Sequence, residues 1–392
     1  MKTVMMTGAT GFVGGVLADK LLDDGYDLKL LARTPSKASD LADRGAEIIE
    51  GDLTDPDSIE RALEGVDGVF HLAAVYTLGG DLDWMRQVNV DGTRKILEAA
   101  EKRDLRVLYC GSDTSLGDTN GEICDESTTH DGNFRSNYAR TKYEAHQLVD
   151  DRMDDGQEIV HAIVSSVYGP GDESPIAGLI QNHLAGHALA YLDGDAGYTF
   201  THVDDVAEAL KRAYETGNAG ESYLVSGEPL TFEEFFAELS GKTGIPEPKF
   251  EIPDWIADTV ASIGGLMKSI TGRTGAELKE MIEMGRNVTR FFSSDKAKRE
   301  LDWTPRSISD GLKDTIPDFG RKELEEARRL LSKASYPLLG LAAFDLVLGS
   351  TAAFLPGLYR KIIHPDFIEM YQNGPTYLIT RTGVLWLVFA GV

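Results

Sequence analysis

Along the first 170 residues, short apolar runs alternate with stretches whose apolar positions recur three and four residues apart. Val4, Met5 and Met6, then "DLKLLA" (27–32), "AEIIE" (46–50), "DGVFHLAA" (67–74), "LRVLYCGS" (105–112) and "EIVHAIVSS" (158–166), have the length of buried strands. Between several of them lie helical patterns: Val16, Leu17, Leu21 and Leu22 after Gly14, then "DSIERALEG" and "NVDGTRKILEAAEKR". Repeated β-α units predict an α/β fold, a doubly wound parallel sheet with helices on both faces and ligands at the carboxyl ends of its strands.

From about residue 170 the alternation weakens, and "GPGDESPIAG" opens a looser region. It is followed by one strand pattern, "SYLVSG" (222–227), and the helical "TFEEFFAELSGKTG". "SSDKAKRELDWTPRSISDGLKDTI" then reads as two short helices around a proline turn. The expected division is a nucleotide-binding part, 1–170 with parts of 195–230, and a smaller cap, 171–330, that grips the substrate. An apolar helical tail, 331–392, completes the chain. Within it "PLLGLAAFDLVLGSTAAFLP" (337–356) carries a single charge, Asp345, and is long enough as a helix to span ~30 Å of hydrocarbon. Arg328, Arg329 and Lys333 precede this run as a cytoplasmic flank would, but Arg360 and Lys361 follow it, and "GVLWLVFAGV" (383–392) is a second apolar run. Two readings stay open: attachment to the inner face of a membrane through 337–392, or a helical hairpin packed on the protein's own surface or on the partner in a homodimer.

At 392 residues the chain can bury a full core in one large or two moderate domains. Its 64 acidic residues against 39 Lys and Arg give a net charge of −25, spread as a solvated surface that disfavours nucleic acid as a partner. Cys110 and Cys124 have neither metal-binding spacing nor a disulfide framework, so no metal is expected and a reducing compartment fits. The first apolar run is too short for a secretory signal, and a cytoplasmic location is expected.

That first run leads into "TGATGFVG" (7–14), three glycines on a strand-to-helix turn. Gly8 makes the tight turn, Gly11 lets a ligand approach the backbone, and Gly14 lets helix pack on strand. A diphosphate can then sit against free N–H groups at the positive helix end, with Phe12 and Val13 among the contacts. The second strand ends at Ala32, where an acidic residue would bond the ribose hydroxyls of NAD(H); Arg33 follows, with Lys37 beyond. Arg33 can pair with a 2′-phosphate, which favours NADP(H) and leaves NAD(H) open, the alternative being a solvated loop arginine. Asp52 of "GDLTD" can meet an adenine amino group, or is an ordinary turn aspartate. "HLAA" ends the fourth strand in small residues, Ala73 among them, so that ribose or nicotinamide can lie near the backbone.

The candidate chemistry lies in "SNYARTKYEAHQLV", which sets Tyr138 and Lys142 at i and i+4 on one helix face, with Ser136 or Asn137 as cap. A phenol with a pKa of ~10 shuttles protons poorly at neutral pH unless a cation stands beside it, and Lys142 is such a cation. Alone, the pair is a common surface accident. Ser112, just past the fifth strand, adds weight because its hydroxyl can bond a substrate carbonyl.

In order, "TGATGFVG", "GDLTD", "HLAA", "NVDGTRKILEAA", "GS" before "DTSLG", "YARTK", "SSVYGPGD" and "FTHVDDVAEAL" resemble the motifs of the extended short-chain dehydrogenases/reductases, the NAD-dependent epimerase/dehydratase superfamily. The resemblance covers roughly residues 1–320 and implies a Rossmann-type fold. It implies catalytic roles for Ser112, Tyr138 and Lys142. Asn89 of "NVDGT" matches a family asparagine tied to helix geometry and proton relay, and Leu53 and Val167 fall at implied cofactor contacts. Val164 in "IVSS" departs from the family, which often has proline there. Nucleotide-sugar members carry an arginine two residues before the Phe of "YTFTHVDD"; here that residue is Tyr198, with no replacement cation nearby in sequence. They also tend to carry a Ser and a Pro between "HLAA" and "NV", where this chain has "VYTLGGDLDWMRQ". "LARTPSKASDL" and "GYTFTHVDDVAEAL" are instead similar to the dihydroflavonol-reductase and 3β-hydroxysteroid-dehydrogenase branch. The expected activity is NADP-dependent interconversion of a carbonyl and an alcohol on a small apolar or sterol/flavonoid-like substrate. A nucleotide-sugar epimerase or dehydratase with retained NAD, and a non-catalytic cofactor-binding scaffold or redox sensor, are the alternatives.

Overall fold

A computed structural model describes residues 2–259 and 274–319. The first six strands are β1 (Thr3–Thr7), β2 (Asp27–Ala32), β3 (Glu47–Glu50), β4 (Gly68–His71), β5 (Arg106–Ser112) and β6 (Ile159–Val164). They are followed by β7 (Ser166–Tyr168), β8 (Ala190–Tyr191), β9 (Gly197–His202), β10 (Glu221–Val225), β11 (Glu228–Thr231), β12 (Phe250–Glu251) and β13 (Thr289–Arg290). The helices up to residue 243 are α1 (Phe12–Asp23), α2 (Ser39–Asp43), α3 (Pro56–Ala62), α4 (Leu82–Arg86), α5 (Thr93–Glu101), α6 (Asn137–Asp154), α7 (Pro175–Leu184), α8 (Val203–Thr216) and α9 (Phe232–Thr243).

Seven strands form one parallel sheet in the order β10-β6-β5-β4-β1-β2-β3. The chain winds outward from β1 to β3 and then crosses back to β4 on the other side of β1, so the strand order reverses between β1 and β4. Successive residues point to opposite faces, and both faces are covered. Met6, Leu30, Phe70 and Leu108 pack under α1 and α8 through Leu17, Leu21, Val206 and Leu210. Met5, Val69, Val107 and Ile159 pack under α3, α5 and α6 through Ile59, Ile96, Leu97 and Val149.

The apolar runs therefore become the expected sheet, with two differences. "DGVFHLAA" stops being strand at His71, because the Ala73 N–H turns from the ladder to the Thr7 hydroxyl (3.1 Å). "EIVHAIVSS" divides at Ser165, whose hydroxyl bonds that of Ser226 (2.7 Å); β6 stays in the main sheet and β7 leaves to pair with β9. "SYLVSG", within 195–230, is β10 at the edge of the main sheet.

A second sheet is centred on β9, with β11 antiparallel on one side and β7 and β13 parallel on the other. Its core is aromatic: Tyr168, Tyr198, Phe200, Phe232 and Phe235, covered by α7 and α9. Local signals delimit α9 sharply. Thr231 and Glu234 form a reciprocal capping box at its start, and Gly244 ends it in the left-handed conformation (φ 71°). The helices Asp295–Glu300 and Ile308–Asp318 flank the proline turn as expected. The tail, with its runs 337–356 and 383–392, lies outside the described residues. Among the described residues no helix is long and apolar enough to cross a membrane.

The glycine turn couples β1 to α1 by backbone contact. Gly8 has φ 81°, and a Cβ on Gly14 would lie 2.0 Å from the Gly8 carbonyl oxygen. Gly14→Ala must therefore push α1 off β1, and a loss of about 2–4 kcal/mol in urea unfolding is expected. Gly15→Ala is the internal control: its Cβ would meet Ala9 O at an ordinary 3.6 Å. Helix propensity makes that substitution neutral or stabilising by up to about 1 kcal/mol.

Candidate active site

The reversal point between β1 and β4 opens a cradle at their carboxyl ends. A Cβ on Gly8 would stand 2.8 Å from the Ala73 nitrogen, so two bare backbone segments meet there. Gly11 caps α1 with no side-chain hydrogen bond, so the first-turn N–H groups of Phe12, Val13 and Gly14 have no intrahelical acceptor. Donors with no side chain in front of them suit a diphosphate. The residues present thus fit a dinucleotide.

Beneath the cradle the Thr7 hydroxyl accepts from Ala73 N and contacts His71 Nδ1 (2.8 Å), while His71 Nε2 contacts the Thr93 hydroxyl (3.0 Å). Thr93 in turn donates to the Asn89 carbonyl (2.7 Å). Since Thr93 spends its proton on that carbonyl, His71 must donate through Nε2 and accept at Nδ1 from Thr7. It is a neutral strut. Burial first, and the Lys142 charge second, push its pKa down to about 3.

Arg33 and Lys37 are exposed beyond β2, with Arg33 Nε 3.9 Å from Asp52 Oδ2. The Asp52 Oδ1 atom accepts from the Thr54 amide (2.8 Å) and hydroxyl (2.7 Å). Burial opposes ionisation of this carboxyl, but those bonds and Arg33 hold its pKa below the usual range. Leu53 is buried beneath Gly92, and half-buried Val167 packs against the core shared by α1 and α8.

At the other end of the cleft, Ser136 caps α6 by accepting from Ala139 N (2.9 Å), and Asn137 instead reaches the Gly80 carbonyl (2.9 Å). The α6 spacing aligns Tyr138, Lys142, His146 and Asp150 along one stripe. Buried Lys142 donates to the Cys110 carbonyl (3.0 Å) and the Tyr109 hydroxyl (3.1 Å). The Ser112 hydroxyl faces the surroundings of the Tyr138 phenol, and Tyr76 meets that ring edge-on (centroids 4.9 Å apart). Burial raises the Tyr138 pKa, and Lys142 and Ser112 work against it. For Lys142 burial works against the charge, but the Tyr109 and Tyr138 phenols and the Cys110 thiol outweigh it, and the pKa is raised. Ser112 Oγ accepts from the Thr114 hydroxyl (3.0 Å), which leaves its own proton for another acceptor.

Asn89 sits in a π-helical turn, 87–92, and is buried. Its amide donates to the Val75 carbonyl and the Thr141 hydroxyl (3.0 Å each), and its oxygen accepts from Val75 N (2.7 Å). These bonds run to the loop after β4 and to the flank of α6.

Two groups of residues escaped the sequence reading. His71, Tyr109 and His161 are register partners across β4, β5 and β6, and they form a buried row under α6. His146 stands edge-on to His161 (4.5 Å), with Asp150 Oδ2 3.2 Å from its Nε2. Each of the three lies in a strand pattern, but only the register across β4, β5 and β6 lines them up. The other group lies beyond the reach of sequence proximity. Arg290, far along the chain, is the register partner of Tyr198, and its guanidinium stacks on that ring at 3.9 Å. No replacement cation lies near Tyr198 in sequence, and strand pairing delivers one in space; Asp113 Oδ1 lies 3.9 Å from its Nη1.

The model of the family described as "NAD dependent epimerase/dehydratase family" matches residues 4–226. The chain belongs to this family. It is 31% identical over 80% of its length to a Synechocystis protein assigned as a dihydroflavonol 4-reductase, covering 93% of that protein. It is 28% identical over 77% of its length to a 3 beta-hydroxysteroid dehydrogenase/Delta 5-->4-isomerase of Mycobacterium tuberculosis, covering 86% of it. The crystal structure of gox2253 matches 81% of this chain and 98% of its own with TM-score 0.70 and 34% identity. This family member is thus an enzyme of the extended short-chain dehydrogenase/reductase type, with oxidoreductases among its relatives.

Burial holds the pKa of His71 and His161 down to about 3 and that of His183 to about 4, against 6.5 for free histidine. Between those values the unfolded chain binds protons that the folded one does not, so stability rises with pH there. Their contribution is complete above about pH 6.5 and shrinks on acidification by up to about 1.4 kcal/mol per histidine per pH unit. Urea unfolding at pH 7.5 and pH 5.5 should show the more acidic sample clearly weaker; equal midpoints would mean that the three rings are not buried neutral.

Proposed function

We propose that this protein is an NADP-dependent reductase/dehydrogenase that interconverts a carbonyl and an alcohol on an apolar, sterol- or flavonoid-like substrate. The observation that carries the reading is the convergence of Ser112, Tyr138 and Lys142 at the carboxyl end of β5. Relatives named as reductase and hydroxysteroid dehydrogenase support the substrate class.

The bound nicotinamide supplies or takes up the hydride. Ser112, receiving a hydrogen bond from Thr114, turns its own proton to the substrate oxygen and orients the carbonyl. Tyr138 gives its phenolic proton to that oxygen in reduction and recovers it in oxidation. Lys142 favours the phenolate that remains, because its charge is buried and unscreened. Tyr109 and the Cys110 carbonyl position Lys142 and leave a third N–H for the cofactor's ribose. Asn89 acts through Val75 and Thr141 and is a positioning residue.

In this reading Gly8, Gly11, Phe12, Val13 and Gly14 cradle the diphosphate, and Asp52, Leu53, Ala73 and Val167 line the rest of the cofactor. Arg33, with Lys37, holds the 2′-phosphate, supported by Ala32 in place of an acid. Residues 171–330, apart from the parts of 195–230 that go with the nucleotide-binding part, are the proposed substrate-binding region. Membrane attachment through 337–392, and a homodimer, belong to the proposal on the apolar sequence of that tail alone.

Tyr138→Phe should lower kcat by about 10²–10⁴-fold while NADPH affinity stays nearly unchanged, because the hydroxyl acts in the transition state. The measurement is NADPH absorbance across a panel of ketones, with fluorescence titration for binding; near-normal turnover would remove the catalytic assignment.

Arg33→Ala should weaken NADPH roughly thirtyfold, from a charge-assisted contact of about 2 kcal/mol, and hardly affect NADH. Equal losses for the two cofactors would show that Arg33 does not read the phosphate.

A further inference from the structure

The cysteines lack metal-binding spacing, but the packing of α6 on β6 brings three other ligand-type side chains together. His146 and Asp150, at i and i+4 on α6, stand one and two turns beyond Lys142 and face His161 of β6. One ligand atom from each lies within 4.8 Å of the other two. His146 Nε2 is 3.2 Å from Asp150 Oδ2, and His161 Nδ1 is 3.9 Å from Asp150 Oδ1. Two ligands held tetrahedrally by one zinc, each at about 2.0–2.1 Å, lie about 3.4 Å apart. The two observed separations stand on either side of that spacing.

Hydrogen bonding settles which nitrogen His146 presents. The Ser115 hydroxyl donates its one proton to the Ser112 carbonyl (2.7 Å), so at His146 Nδ1 (2.7 Å) it must accept. Nδ1 therefore carries a proton, and Nε2 is the nitrogen aimed at the carboxylate. A lone pair facing a carboxylate oxygen at 3.2 Å is repelled unless a cation lies between them. A proton meets that need for His146 alone. It leaves His161 aside, because 3.9 Å is too long for a hydrogen bond to Asp150, and the contact of Nδ1 with the Ser222 hydroxyl is a long one (3.3 Å). A metal ion uses all three. The His161 ring is fixed in place by Gly111, where a Cβ would lie 2.2 Å from its Nε2.

Water reaches the cluster at Asp150, whose side chain is 40% exposed, and His161 is the buried floor. Asp150 is a short side chain on a helix surface, so a change of rotamer admits an ion and closes on it. A net charge of −25 concentrates divalent cations around that opening.

We propose that His146 Nε2, the Asp150 carboxylate and His161 Nδ1 bind one late first-row divalent cation, zinc by preference, with water completing a tetrahedral set. Two imidazoles and a carboxylate suit such an ion, whereas Mg2+ favours six oxygen ligands. The Ser115 hydroxyl is the outer support that fixes the His146 ring. The ion clamps α6 to β6, and through His146 and Ser115 it reaches the Ser112 carbonyl without touching the reacting atoms. The site depends on neither the substrate nor the nicotinamide cofactor.

The test is calorimetric titration of the untagged full chain, stripped with EDTA, with ZnCl2 at high ionic strength, which screens loose binding to the acidic surface. One equivalent per chain should bind saturably, and excess Mg2+ should not displace it. Ser115→Ala keeps the three ligands and removes the outer support, so binding should weaken about 10–100-fold; Asp150→Ala and His146→Ala should weaken it further. Zn2+ should raise the wild-type Tm, and the rise should vanish in the last two variants. Thermal unfolding in EDTA checks that each is folded, and Asp150→Ala, at the exposed end of the site, carries the test if His146→Ala is unstable. With Co2+ as the probe, visible bands of tetrahedral coordination and two hyperfine-shifted imidazole N–H signals should appear, one from each histidine. Absence of saturable binding, displacement by Mg2+, or an isotherm unchanged in Asp150→Ala and His146→Ala overturns the site and leaves a proton between His146 and Asp150. None of these readouts uses turnover, so the oxidoreductase reading stands or falls separately.

Discussion

A lysine ammonium held out of water between β5 and α6 is the constraint on which the site depends. Lys142 is 4% exposed, and its hydrogen-bond partners are the Cys110 carbonyl and the Tyr109 hydroxyl. Leaving a buried charge without acceptors costs several kcal/mol, so the distance from α6 to β5 is dictated by Cys110 O and Tyr109 OH. One helical turn before Lys142, Tyr138 is thereby brought to Ser112. The same charge adds to the burial that keeps His71 neutral. A cation without a carboxylate beside it is a poor stabiliser. It is a strong local field aimed at the phenol, an arrangement characteristic of active sites.

The cradle and the chemistry are also one hydrogen-bonded unit. Ala73 N, Thr7, His71 and Thr93 lead from the backbone crossing of β1 and β4 to the carbonyl of Asn89. The amide of Asn89 then ties the loop at Val75 to Thr141 on α6. The π-helical turn at 87–92 supports this bridge, because the extra residue shifts where successive side chains point and lets one asparagine serve two elements. Its backbone and side chain are both spent, which suits a positioning role better than a reacting one.

What could be read from sequence follows interaction range. The main-sheet strands were legible because burial on both faces writes a continuous apolar run, and β2 falls on "DLKLLA" without change. Tyr138 and Lys142 were legible because helical periodicity is local, and Ser112 because it closes a strand. The parts that depend on pairing were not. β9 sits at the centre of the second sheet, yet "GYTFTH" alternates polar and apolar residues that are all buried, so its sequence does not look like core. Arg290 reaches Tyr198 through a strand of two residues, too short to leave a pattern. The row of His71, Tyr109 and His161 lay in quoted motifs, but only the register across three strands makes it a row.

The overall charge gives the buried cations their meaning. A chain of net charge −25 repels any anion that approaches it. Salt screens that repulsion beyond roughly 8–10 Å. An anionic ligand therefore feels the surface charge little at long range and is held by close contacts, exposed ones such as Arg33 weakened by water and buried ones not. Lys142 and Arg290 are cations of the other kind, both buried, one bonded to the Cys110 carbonyl and the other stacked on Tyr198. An acidic exterior and a cationic interior are compatible because the two act over different distances. The surface charge acts through water and salt, and the buried charges act on the few groups packed against them.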